Sequence, residues 1–187
     1  MNEGSNKTEF EKIIHKRFTC RKYSEETFDI EIVKNIAKKA LLAPSADNRQ
    51  AYRFFLIEKK NFFKVRRLIE QDWAFNAPFL AFLFSVPEEA YLRSFDNRSY
   101  DLIDASIAFD HFILLLTEAG FGTAWTSSNI DPKALIRALK LPNGWEFVAF
   151  TPIGYPAEDA PQAKDRLRRR PEELVLTEPP SITQYLR

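Results

Sequence analysis

Four stretches of this sequence carry side chains that could hold or orient a ligand. The first is Arg17-Phe18-Thr19-Cys20-Arg21. In an extended segment side chains alternate with period two, so Arg17, Thr19 and Arg21 share a face. A hydroxyl between two guanidiniums suits a phosphate or another planar anion, although taken alone a solvated basic strand is the simpler reading. The second is Ala43-Pro44-Ser45-Ala46-Asp47-Asn48-Arg49-Gln50. It offers small side chains, a proline that halts the preceding helix, and amides that both donate and accept. Such a loop can lie against a flat, polar-edged ring. The third is Gly122-Thr123-Ala124-Trp125, where an indole donor and hydroxyls could line a planar ligand or, equally, Trp125 could be core. The fourth is the basic run Lys164, Arg166, Arg168, Arg169, Arg170. Asp165 interrupts it, Glu172 and Glu173 follow it, and no aromatic residue interleaves with it. That pattern reads as one or two anion-binding side chains in a solvated turn, not as a nucleic-acid surface.

Other chemistry lacks its parts. His15 and His111 stand alone, without the clustered ligands of a metal site. Ser106, Asp110 and His111 share one apolar helix with no elbow turn around the serine, which argues against a catalytic triad. Cys20 has no partner base or second cysteine and reads as a small buried thiol. Gly120-Phe121-Gly122 lacks the third glycine of a dinucleotide fingerprint and follows a helix instead of a strand. No side chain presents itself as a catalytic group.

The elements that must position these stretches alternate along the chain. Thr8–Arg17 reads as a short amphipathic helix with Phe10, Ile13 and Ile14 on one face. Asp29 opens a second helix, ended by Pro44. Tyr52–Glu58 is aromatic and β-branched and reads as a strand. The spacing of Phe62, Val65, Leu68 and Ile69 predicts a helix over Asn61–Gln71. Pro78–Val86 is continuously apolar, as a strand covered on both faces should be. Pro87–Arg98 reads as a loop or short helix near an opening. Tyr100–Ala119 is the strongest helix, with Asp101 and Asp104 in its first turn, where carboxylates suit the helix dipole, and Gly120 as its cap. Its nearly all-round apolarity places it centrally or between subunits. Thr123–Ser127 reads as a strand, Pro132–Leu139 as a helix capped by Asp131, and Trp145–Ile153 as a strand. The sum is one α+β domain over residues 1–187, with a mostly antiparallel sheet of four to five strands flanked by helices and an extended C-terminal arm from about residue 176.

Composition agrees. The chain has 187 residues, a net charge of +1, 45% hydrophobic and 28% charged residues, as a soluble globular domain has. Near-neutral charge gives no reason to expect a nucleic acid or an anionic membrane as partner. The apolar runs are too short to span a bilayer. A lone cysteine and a polar stretch from Met1 to Lys7 point to a reducing cytoplasm. Seventeen phenylalanines exceed what one subunit's core needs and suggest a buried oligomer interface.

Taken in order, these pieces resemble the FMN-dependent nitroreductase family. The family's R-x-S/T-x-R segment corresponds to Arg17–Arg21, and its A-P-S-x-x-N-x-Q-P-W to Ala43–Tyr52. An Asp-led apolar helix (Asp104-Ala105-Ser106-Ile107-Ala108) follows, then G-x-G-T-x-W at Gly120–Trp125, I-G-Y-P at Ile153–Pro156, a basic pair, and E-E-L-V at Glu172–Val175. The resemblance implies an intertwined homodimer with FMN at its interface. It implies that Arg17, Phe18 and Thr19 line the ribityl phosphate region, and that Arg21 approaches the pyrimidine edge near N1 and O2. Pro44, Ser45, Ala46, Asn48 and Gln50 should reach the flavin from the other subunit. Thr126, Ser127 and Ser128, just after the cofactor-binding Trp125, should lie near N5, through backbone amides, and a pair from Lys164, Arg166 and Arg168 should clamp the phosphate. The implied activity is hydride transfer from NADH or NADPH to flavin N5, then to a nitroaromatic, quinone or similar small acceptor. A reductive dehalogenase-like enzyme of the same fold and a non-catalytic flavin binder are the alternatives. Two departures stand out: Gln50-Ala51-Tyr52 replaces Gln-Pro-Trp, and Phe18 stands where a second basic residue is common.

Overall fold

The computed structural model describes residues 7–127, 129–161 and 167–178. Helix α1 (Glu9–Lys16) begins at a reciprocal cap. The Glu11 amide donates to Thr8 Oγ1 and the Thr8 amide to Glu11 Oε2, which satisfies two orphan donors. Its apolar face nevertheless stays in solvent, with Phe10 and Ile14 both exposed. Helix α2 (Ile30–Ala40) is capped by Asp29 and buries Val33, Ile36 and Ala40. It ends four residues before Pro44, in a turn that leaves Leu42 exposed.

Strands β1 (Tyr52–Glu58) and β2 (Phe79–Ser85) are followed by a short hairpin, β3 (Leu92–Arg93) with β4 (Arg98–Ser99). Helix α3 (Asp101–Glu118) leads through Gly120, at φ 89°, into β5 (Gly122–Thr123). Helix α4 (Pro132–Leu139), strand β6 (Glu146–Gly154) and a one-turn α5 (Pro171–Leu174) complete the chain. The main sheet is antiparallel with order β1-β2-β6-β5.

Every residue of β2 is buried, and the strand's alternation explains why. Phe79, Ala81 and Leu83 pack with α2 and α3 on one face, whereas Leu80, Phe82 and Phe84 pack with α4 and residues 62–74 on the other. A strand sandwiched this way has no wet face to mark with polar residues. Helix α3 is central as expected, with Ala105, Ala108, Phe109, Phe112 and Leu116 fully buried.

Three expectations need correction. Residues 61–71 are not an α-helix: a 3₁₀ helix over Lys59–Lys64 gives way to turns. The inward spacing of Phe62, Val65 and Ile69 survives, but aromatic and β-branched residues favour helix weakly, and the Lys59 amide is tied to Pro78 O across the sheet end. The short helix expected in 87–98 is there as a 3₁₀ turn at Pro87–Glu89, but it is followed by a hairpin that was not expected, turned by Asn97 at φ 56°, a conformation asparagine tolerates. The strand expected over 123–127 is two residues of ladder and one later bridge, Thr126 to Phe150. Between them the Ala124 amide leaves the ladder to bond Thr151 Oγ1 at 3.0 Å.

Candidate ligand site

The basic segment is held by the edge of the sheet. Thr19 bridges Thr123 in parallel, and the Cys20 amide donates to Thr123 O at 2.8 Å. Further along, Tyr23 bridges Pro156, and the Ser24 amide donates to Tyr155 O. Two glycines make this docking possible. A Cβ at Gly122 would lie 2.6 Å from Cys20 Sγ, and one at Gly154 would lie 3.0 Å from Tyr23 Cδ1 and 2.9 Å from Pro78 Cδ. Cys20 and Tyr23 therefore face inward and are buried, while Thr19 and Arg21 face out. Arg17 is half-buried, and Phe18 packs on the small cluster of Cys20, Tyr23 and Ala77. Burial pushes the Cys20 thiol up from its ordinary pKa, and burial likewise raises the Tyr23 phenol. Its hydroxyl donates to Cys20 O at 2.9 Å. The thiol packs in this cluster and donates to Lys22 O at 3.2 Å.

The Pro44–Gln50 loop is wound tightly. Asp47, Asn48 and Gln50 all have φ near +50°, in the left-handed region that non-glycine residues occupy sparingly. Local bonds support it: the Gln50 amide donates to Ser45 Oγ at 3.1 Å, and Gln50 Nε2 donates to Asn48 O and Oδ1. The anchor is Asp104 on α3, a carboxylate only 2% exposed. Both its oxygens accept the Ala46 amide at 3.1 Å. Beside it the Tyr52 phenol is pushed up, first by burial and then by the Asp104 charge. The sequence marks Asp104 as a helix-dipole residue and as the lead residue of the family's apolar helix, without assigning it a partner. Its distance in sequence from Ala46 left no local signal of the bond.

Trp125 is 42% exposed and sets its ring edge-on to Phe109 at 4.8 Å, so it is not core. Thr126 gives its amide and carbonyl to Phe150. Its hydroxyl, not its amide, is what it can offer a ligand; Ser127 beside it is exposed. Ser128, Lys164 and Arg166 lie outside the described residues. Arg168 is exposed and donates to the neighbouring Leu167 carbonyl.

The structure brings Arg17–Arg21 together with Gly122 and Thr123 at one corner of the sheet, residues 124–127 running from there to the middle of β6 at Phe150, and leaves Pro44–Gln50 at the corner diagonally across. The loop enters β1 at Tyr52, whose register partners are Ser85 and, beyond it, Glu146. The basic segment lies past β5, level with Ile153 and Gly154 at the other end of β6. Three strand spacings separate β1 from β5, about 14 Å, and about 25 Å of strand separates the two ends. The two stretches of one chain therefore face different places.

The sequence profile described as "Nitroreductase family" matches residues 58–155. The chain belongs to the nitroreductase family. Among solved structures, this nitroreductase-family chain is similar to a Desulfovibrio desulfuricans protein assigned as a nitroreductase and solved in complex with FMN. That likeness has a TM-score of 0.78 and 25% identity, and covers 94% of this chain and 100% of the other. Among curated relatives it is 25% identical to iodotyrosine deiodinase 1 of Mus musculus, over 90% of this chain and 69% of the relative. It is 27% identical to an Archaeoglobus fulgidus protein assigned as an NADH dehydrogenase/NAD(P)H nitroreductase, over 83% and 91%. The donors described above suit the group in the first of these. Outward hydroxyl and guanidinium groups match a phosphate and a polar ring edge, and the tight loop can lie flat against a ring.

Proposed function

We propose that this chain is an FMN-dependent oxidoreductase that acts as a homodimer, drawing electrons from NADH or NADPH and passing them to a small-molecule acceptor. The observation that supports it most is the docked segment that turns Thr19 and Arg21 outward, on a fold shared over 94% of the chain with an FMN complex. When bound, FMN supplies two-electron redox chemistry at its N5. The chain's own residues bind and orient. Arg17 and Thr19 hold the phosphate with a pair from Lys164, Arg166 and Arg168. Arg21 places positive charge at the pyrimidine edge, which favours the reduced state. The Pro44–Gln50 loop of a second copy completes the pocket, which accounts for the diagonal separation of the half-sites.

A second reading, reductive dehalogenation on the same flavin, is favoured by the similarity to an iodotyrosine deiodinase. One set of measurements separates the readings. The purified protein is titrated with FMN, then NADH and NADPH oxidation is followed anaerobically with a quinone, a nitroaromatic and a halophenol. Turnover with the first two supports the reading given first, and halide release supports the second. FMN binding without turnover would reduce the protein to a flavin carrier. Neither binding nor a thermal shift at saturating FMN would overturn the proposal.

A further inference from the structure

Among the described residues four arginines lie over aromatic rings: Arg21 over Trp73, Arg53 over Trp145, Arg66 over Phe75 and Arg93 over Tyr100. A guanidinium stacked by its face keeps its N–H donors in the plane, free for a second partner. In three of the four the guanidinium is also paired with a carboxylate. Glu89 holds Arg53 at 2.6 Å, Asp72 holds Arg66 at 2.7 Å, and Asp96 holds Arg93 at 2.5 Å. Arg21 sits 5.6 Å from the Trp73 ring centroid, its side chain exposed, and no carboxylate among the described residues pairs with it. The ring beneath it is itself fixed. Trp73 is half-buried and packs on the Cys20–Tyr23–Ala77 cluster that docks the basic segment.

We infer that Trp73 is a positioning residue: it holds the Arg21 guanidinium flat, with its donor edge turned to a planar, electron-rich acceptor, the pyrimidine edge of the flavin. This rests on the FMN reading above. A free arginine side chain loses rotamer freedom on binding, and a stacked one has already lost much of it. The indole thereby adds to FMN affinity and raises the flavin potential through Arg21, without touching the ligand.

The test measures FMN affinity and flavin reduction potential in Trp73→Leu, Trp73→Phe, Arg21→Ala and the Arg21→Ala/Trp73→Leu double variant. A cation–π contact at an exposed site corresponds to about a two- to fivefold change in affinity. Trp73→Leu should therefore weaken FMN binding about two- to fivefold and lower the potential in the direction of Arg21→Ala. Trp73→Phe, with a weaker ring quadrupole, should fall between Trp73→Leu and the wild type. In the Arg21→Ala background Trp73→Leu should change neither quantity, because the group it orients is gone. Additive effects in the double variant, or a Trp73→Phe and Trp73→Leu pair with wild-type potential and affinity, would overturn the role of Trp73 while FMN binding stands. A wild-type protein that binds no FMN would overturn both this inference and the functional reading beneath it.

Discussion

Asp104 is a buried carboxylate whose two oxygens share one donor, the Ala46 amide. Its purpose is mechanical: it pins a loop in which three residues sit at positive φ. Asp104→Asn keeps an acceptor oxygen for that amide, whereas Asp104→Ala leaves the half-buried N–H without it, at a cost of about 1 kcal/mol, the lower end of the range for an unsatisfied donor. Urea unfolding should show the larger loss for alanine. FMN titration should follow the same order, with asparagine near wild type. Cys20 gives a second test at this scale. Burial raises its pKa, so below the unfolded value, about 8.5, both states keep the proton and stability does not depend on it. Above that value the unfolded chain loses the proton first, and stability falls as pH rises towards the folded pKa. Denaturation curves between pH 8 and 10 should show this decline, and Cys20→Ala should flatten it. Tyr23, raised the same way, contributes only at higher pH.

The segment carrying Arg17–Arg21 works as an element because Gly122 admits Cys20. A methyl group there would meet the thiol at 2.6 Å and its Cβ at 2.8 Å, closer than packed atoms come. Gly122→Ala should destabilise the chain by about 1–3 kcal/mol, the usual range for overpacking, and should weaken FMN binding by displacing Thr19 and Arg21. Cys20→Gly removes both clashing atoms, so the Gly122→Ala/Cys20→Gly pair should recover FMN binding that Gly122→Ala loses. If the double variant binds no better than Gly122→Ala, the segment is held by something other than this contact. The same elements show what a sequence can and cannot reveal. Strands β1, β2 and β6 and helices α2, α3 and α4 announce themselves by periodicity, caps and prolines, which are local signals. The alternation in Arg17–Arg21 was legible for the same reason, and the structure keeps Thr19 and Arg21 outward. The β3–β4 hairpin was hidden because its ladder is two residues long, although Asp96-Asn97 was a turn signal. The Asp104–Ala46 and Arg21–Trp73 contacts join residues more than fifty apart in sequence, and no pattern within a window encodes such a pair.

Across the whole molecule, the basic segment and the Pro44–Gln50 loop of one chain lie at opposite corners of its sheet, and α1 offers Phe10 and Ile14 to solvent with no residue buried. The proposed two-fold dimer would account for both, since an isologous interface covers the same patch twice and would let each copy supply what the other lacks. Subunit mixing tests this directly. A chain carrying Arg21→Ala has a damaged phosphate-side half-site, and one carrying Asn48→Ala has a damaged loop. In either homodimer both sites contain one defect. In the mixed dimer, if the loop serves the partner, one site collects both defects and the other is intact. Refolding the two variants together and isolating the mixed dimer by paired affinity tags should then restore tight FMN binding at one site per dimer. If the loop instead serves its own chain, both sites of the mixed dimer keep one defect each and binding stays weak. That outcome would place the flavin within a single subunit and require the loop to cross the diagonal of the sheet, which the anchoring of Ala46 on Asp104 opposes.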